Sequence, residues 1–247
     1  MNETTPVLYV FAISHFCEKA RWALDVLEVD YELRHVAPGE HMEIAKKLGA
    51  PRSSVPYLSL GGRVIQGSAD IISWAESVSS TEISLTPDAE VCEQIEKRID
   101  DIAGVHVRRF YYSEALVEHP SMIRPLFTRD LPLTRKLMIS LAWRKICKIM
   151  IARMDLGLQQ GEESKNILDG ELNWIDELLA DGRGYLVGDS FSRADIAAAS
   201  ILAPLALPSA HPVYSRLEHP PRMAQELLTW EDRPSLKWVH NVYAKHR

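Results

Sequence analysis

The sequence predicts two domains, an α/β unit of element order β-α-β-α-β-β-α followed by a bundle built only of helices. Three observations carry this reading. Over the first eighty residues, short apolar runs alternate with segments of helical spacing. A Gly-Gly pair near residue 61 separates two strand-like runs. From Ala89 to Arg247 no strand pattern appears.

The elements follow in order. Val7-Leu8-Tyr9-Val10-Phe11-Ala12-Ile13 is a continuous apolar run, as expected of a strand buried on both faces. Phe16, Ala20, Ala23, Leu24 and Leu27 then recur at helical spacing, with Glu18, Lys19, Asp25 and Glu28 between them. Tyr31 to Val36 reads as a second strand and Glu40 to Leu48 as a short helix. Tyr57 to Leu60 and Arg63 to Gln66 flank Gly61-Gly62, a two-residue turn that needs positive φ. Ser68 is a candidate N-cap for a helix holding Ile71, Ile72 and Trp74. Between Ser77 and Pro87 the chain becomes rich in Ser and Thr. The expected division is therefore residues 1–80, a linker at 81–87, and a helical domain at 88–247. Within the helical part, Ser192 is placed to cap the amide of Asp195, whose carboxylate reaches back, and Phe191 and Ile196 occupy the positions of a hydrophobic staple. Trp22, Trp74 and Trp174 are candidate core residues.

Composition narrows the function classes. Hydrophobic residues make up 46% of the 247 and charged residues 25%, a balance that suits a globular chain and not a disordered one. The net charge of -6 argues against nucleic acid as the main partner. Met1 to Pro6 has no basic region and no apolar core, so no secretory signal is expected there. The most apolar stretch, Leu137 to Ile151, is interrupted by Arg144, Lys145 and Lys148, and it reads as a helix outside any membrane. With Arg153 these residues make a basic stretch, read as a solvated helix face. Cys17, Cys92 and Cys147 are odd in number and far apart. They form neither a disulfide framework nor a metal pair, which fits a reducing, cytoplasmic setting. The nine histidines lack ligand spacing, so no metal is expected. Gly182-Arg183-Gly184 with Gly188 has the wrong spacing for a dinucleotide loop.

Three short segments carry candidate chemistry. Ser14-His15-Phe16-Cys17 lies where the first strand gives way to the first helix. Unpaired amides and the positive end of the helix dipole stabilise a thiolate there, and the Ser14 hydroxyl adds one hydrogen bond. Val55-Pro56 stands directly before the hairpin, and a cis bond there would present the Val55 backbone to a ligand. Gln66-Gly67-Ser68 opens the third helix, where backbone amides and a hydroxyl suit a carboxylate. Read singly, each segment is equally ordinary turn and capping chemistry.

Taken together, Ser14, Val55-Pro56, Gly67-Ser68 and Ser192 to Asp195 resemble the glutathione transferase superfamily, over nearly the whole chain. The segments Phe16-Cys17-Glu18-Lys19-Ala20-Arg21-Trp22 and Val64-Ile65-Gln66-Gly67-Ser68 look like a bacterial branch of it. The resemblance implies a thioredoxin-like first domain, a cis-proline at Pro56 and glutathione as co-substrate. Phe16, Ser54, Val55, Pro56, Gln66, Gly67 and Ser68 then lie along the tripeptide, with its thiol near Ser14. It further implies a small electrophile held by the helical domain, with Arg108, Tyr111 and Tyr112 (beside Arg109) as candidate contacts, and a homodimer without nucleic-acid or membrane partners. The sequence departs from the family at two places. Gly67 stands where an acidic residue usually precedes the serine. Ser14-x-x-Cys17 resembles a glutaredoxin Cys-x-x-Cys with its first cysteine replaced, which leaves Cys17 as the alternative to Ser14. The expected activity is attack of an activated glutathione thiol on an electrophile. The alternatives are a thiol-disulfide or deglutathionylating reductase using Cys17, and a binding protein that keeps the fold without turnover.

Overall fold

The computed structural model describes residues 5–247, apart from the side chain of Arg216. Its contacts divide the chain into two compact units. The first holds the residues up to Ser84 together with Pro125–Ile146, and the second holds Leu85–Arg124 and Cys147–Arg247.

The first unit is built on a four-stranded mixed sheet. Strands β1 (Val7–Val10), β2 (Glu32–His35), β3 (Tyr57–Ser59) and β4 (Val64–Gln66) lie in the order β2-β1-β3-β4. β1 runs parallel to β2 and antiparallel to β3, with Leu8 opposite both Leu33 and Leu58. The parallel pair needs a crossover, which α1 (His15–Val26) supplies. Helices α2 (Glu40–Lys47) and α3 (Ser68–Val78) complete the thioredoxin-like arrangement. The helical spacing in α1 puts Ala20, Trp22, Ala23 and Leu24 wholly in the core, and the continuous apolar run does the same for Leu8 and Val10. β1 stops at Val10, three residues before the apolar run ends, because the chain turns there into α1. Gly61 and Gly62 have φ of 68° and 134°, and the Leu60 amide donates to the Arg63 carbonyl at 2.8 Å across the turn. In the part of the first unit drawn from later in the chain, the Phe127 ring lies 6.1 Å from Phe11 and 5.7 Å from Trp143, and Arg135 pairs with Glu40 at 2.9 Å.

Among the described residues, no strand follows β4. α4 (Ala89–Arg98) passes through one π-helical turn, Ile99–Ala103, into α5 (Gly104–Ala115). α6 (Pro120–Thr128) and α7 (Leu133–Met154) follow, then α8 (Leu158–Leu178), α9 (Arg193–Ala206), α10 (Pro221–Leu227) and α11 (Pro234–His246). α9 is buried from Ala194 to Leu205. Its alanine-rich surface has no polar face, as befits the central helix of a core. α5 packs on α8 so tightly that a Cβ on Gly161 would stand 3.1 Å from the Ser113 Cβ, so any larger residue there would have to push the two helices apart.

The start of α9 follows the sequence reading. The Asp195 carboxylate accepts from the Ser192 amide at 2.8 Å, the Ser192 hydroxyl at 2.7 Å and the Leu186 amide at 2.7 Å. Two expectations need correction. α3 is capped by Gly67, in a conformation with φ 106° that favours glycine, and Ser68 is its first helical residue. Of the three candidate core tryptophans only Trp22 is buried. Trp174 is half-exposed beneath the Arg98 guanidinium, 3.9 Å from its ring, and Trp143, Trp230 and Trp238 fill the cores instead. No helix among the described residues is long and apolar enough to cross a membrane.

Candidate functional site

Everything in the first unit's site follows from where β1 ends. The strand delivers the chain to Ser14, whose extended backbone makes it the N-cap of α1. Its carbonyl accepts from the Glu18 amide at 3.0 Å, and its hydroxyl oxygen accepts from the Cys17 amide at 3.3 Å. That bond uses a lone pair of Oγ and leaves the hydroxyl proton to be donated elsewhere. The Phe16 amide has no acceptor among the described residues, and it adds to the positive end of a twelve-residue helix. Ser14 is half-buried, so a ligand has access to it.

Cys17 lies one turn further in and is 1% exposed. Burial pushes its thiol up to about 12, which the Ser14 hydroxyl offsets only in part. A thiol in this state is neither ionised near neutrality nor accessible. Among the described residues, all three cysteines are free and buried.

The second piece is the loop before β3. The Val55–Pro56 bond is cis, and neither the amide nor the carbonyl of Val55 makes a hydrogen bond among the described residues. Ser54 is exposed and Pro56 buried. The third piece is the start of α3. Here the sequence reading of Gln66 meets a different geometry. Its side chain is turned onto the preceding loop, where Oε1 accepts from the Arg52 amide at 2.8 Å. Nε2 donates to the carbonyls of Arg52 at 2.6 Å and Ser54 at 2.7 Å. The Gln66 amide group thus holds residues 52–54 against the end of β4. Ser68 is buried, and its hydroxyl has no partner among the described residues. The Arg52 guanidinium and the Asp70 carboxylate flank Gly67, two charged groups that pattern reading passed over although an acid in a first helical turn is a recognised signal.

The remaining candidates lie in the second unit, on α5. Arg108 and Tyr112 stand one helical turn apart, and the Tyr111 and Tyr112 rings are 5.7 Å from each other. Arg108 has no ion-pair partner among the described residues, and burial lowers the pKa of its guanidinium. Burial raises that of Tyr111. Arg109, by contrast, is tied to Asp155 at 2.6 Å and Glu163 at 3.4 Å, which makes it a structural residue. Among the described residues, no group of three or more His, Cys, Asp or Glu side chains is placed to hold a metal.

The family model for the glutathione S-transferase N-terminal domain matches residues 8–82, and that for the C-terminal domain matches residues 145–220. The chain belongs to the glutathione transferase family. The two matches together take in the sheet from Leu8 onward with α1 to α3 and the capping box of α9. No curated protein matches the chain by sequence. Solved structures of similar fold include glutathione transferase GSTFuA3 from Phanerochaete chrysosporium, with a TM-score of 0.64 at 18% identity over 100% of this chain and 98% of that one. Beta-etherase LigF from Sphingobium sp. strain SYK-6 gives a TM-score of 0.60 at 20% identity, over 96% and 99% of the two chains. A glutathione S-transferase from Methylobacillus flagellatus KT, solved with glutathione bound, gives 0.57 at 18% identity over 95% and 98%. At these identities the likeness is one of fold. This glutathione transferase chain must therefore be assigned a reaction from its own residues.

Proposed function

We propose that the chain binds glutathione along its first unit and uses Ser14 to favour the thiolate, which then attacks an electrophilic carbon of a small molecule carried by the helical domain. One observation supports this above the others. Ser14 Oγ satisfies the α1 cap with a lone pair and so keeps its proton for a ligand thiolate, at the positive end of α1. The rest of the first unit suits a tripeptide. Val55 offers an unpaired amide and carbonyl, matching the backbone of a cysteinyl residue. The Ser68 hydroxyl and amide, at the start of α3, suit a carboxylate. Phe16 and Ser54 border the same path, and Gln66 acts through the loop it holds. The thiol proton leaves to water.

Arg108, Tyr111 and Tyr112 are assigned to the electrophile, Arg108 because its charge is unanswered among the described residues. The reductase alternative draws no support from Cys17, whose buried thiol is pushed to about 12. The decisive experiment incubates the protein with glutathione and a panel of aryl halides, enones, epoxides and aryl ethers, and looks for thioether products by mass spectrometry. Enzyme-dependent thioether formation is the expected result. Failure to bind glutathione at millimolar concentration overturns the reading.

A further inference from the structure

We propose that the outward face of α7 docks on an anionic phospholipid bilayer, with Leu133, Leu137, Met138 and Leu141 entering the interface while Arg144, Lys145 and Lys148 lie against the lipid phosphates. The attachment is peripheral, through a helix that lies on the membrane and does not cross it.

The inference starts from the two faces of α7. Ile139, Trp143 and Cys147 recur every four residues and are buried. Leu133, Leu137 and Leu141 also recur every four residues, yet they are 82%, 63% and 81% exposed, with Met138 beside them at 68%. Leu133, Leu141 and Met138 are the three most exposed large apolar side chains among the described residues. All of them stand on one stretch of helix about 12 Å long. Single exposed apolar residues are ordinary, but a contiguous row marks a contact surface. A helix that is apolar on two opposite sides belongs where both are covered. The leucine row also lies outside both stretches matched by the family models.

Charge identifies what covers it. α7 carries Arg135, Lys136, Arg144, Lys145, Lys148 and Arg153 and no acidic residue, in a chain whose net charge is -6. Arg135 pairs with Glu40 at 2.9 Å, whereas Lys136, Arg144, Lys145 and Lys148 have no carboxylate within 4 Å among the described residues. Lys145 is the next position in the leucine row. Arg144 and Lys148 follow Leu137 and Leu141 by two turns, so these three exposed cations share the face of the leucines. Leucines followed by lysines on one face suit a bilayer surface, where apolar side chains sink about 5–10 Å and cations meet the headgroup phosphates. Two other occupants fit this face less well. A second copy docked through the same face would set two rows of unpaired cations against each other. A protein partner would have to offer an acid-rimmed groove to a projecting helix, and protein interfaces are depleted of lysine.

The test sediments the full chain with vesicles of pure phosphatidylcholine, and with vesicles in which about one-third of the lipid is phosphatidylglycerol, in low and high salt. Wild type should bind the anionic vesicles at least about thirtyfold more tightly than the neutral ones, and high salt should release it. Lys145→Gln with Lys148→Gln should weaken anionic-vesicle binding about thirtyfold, roughly fivefold for each cation removed. Leu137→Gln with Leu141→Gln keeps every charge and should still weaken binding about tenfold or more. Circular dichroism checks that both variants fold. Equal binding to the two vesicle types, or a leucine variant that binds as tightly as wild type, overturns the proposal. Failure of wild type to bind anionic vesicles also overturns it and leaves the face to an acidic protein. Sedimentation without lipid decides the remaining case: a wild-type dimer that the leucine variant splits makes the row a subunit interface and overturns the membrane assignment.

Discussion

Replacing Ser14 with alanine separates two jobs that the structure gives to one oxygen. The first is structural. Ser14 Oγ accepts from the Cys17 amide at 3.3 Å, and loss of such an N-cap costs about 1 kcal/mol of stability. The second is chemical. A hydroxyl donating to a thiolate makes a hydrogen bond to a charged acceptor, worth about 1.5–3 kcal/mol. Its loss raises the pKa of a bound thiol by about one to two units, since one unit corresponds to 1.36 kcal/mol. A thiol held near neutrality by the site would then be about 1–10% ionised at pH 7 in the variant, and conjugation would slow by about fivefold to fiftyfold. A second variant distinguishes the two jobs. Ser14→Asp keeps an N-cap as good as serine but brings a negative charge to the thiolate. It should melt like wild type and yet show the larger loss of thiolate. The assay is the ultraviolet absorbance of the glutathione thiolate, titrated against pH in the presence of each protein, beside a thermal melt. If Ser14→Ala loses stability but leaves the thiolate titration where it was, Ser14 is a cap and nothing more, and the chemical assignment fails.

Other expectations follow from the same geometry. Cys17→Ala should keep conjugation within about twofold and lose about 1 kcal/mol or slightly more, the cost of emptying a small buried volume; loss of turnover without loss of fold would move the chemistry to Cys17. Gln66→Ala frees residues 52–54 by removing three hydrogen bonds, and it should weaken glutathione binding about tenfold while costing roughly 1–2 kcal/mol in a denaturant melt. The Asp195 carboxyl is held up at about 6 by burial, against 3.8 for a free aspartate, with its three hydrogen bonds pulling the other way. A carboxyl raised in the folded state contributes its full stability below pH 3.8 and loses it as the pH climbs through 6, a change of roughly 2–3 kcal/mol between pH 4 and 7. Asp195→Asn should remove that component, so that its denaturation midpoint falls less over this range than that of wild type. Equal slopes in the two proteins would mean that the carboxylate is not penalised in its box.

What the sequence discloses and what it withholds divide along a physical line. Signals confined to a few neighbouring residues were legible: the apolar run of β1, the helical spacing of α1, the positive-φ pair Gly61-Gly62, and the box that joins Ser192 to Asp195. In each, the residues that decide the conformation lie within a turn or two of each other. Features set by partners distant in the chain were not legible. Gln66 reads in sequence as a ligand contact, yet its amide faces residues 52–54, because β3 and β4 bring that loop alongside it. Trp174 reads as core, but a guanidinium from α4 covers it. Nothing in the pattern of residues 125–146 signals that this stretch joins the unit holding the sheet, a choice made by Phe127 against Phe11 and by Arg135 against Glu40. The candidate site shows both cases side by side. The place of Ser14 at the cap of α1 was legible because a strand end and a helix start define it locally. Arg52 and Asp70 were not, since eighteen positions separate them and only the turn at Gly67 sets one beside the other. Contacts of the second kind set what borders a site, so a family can be read from motifs while the side chains that surround its site cannot.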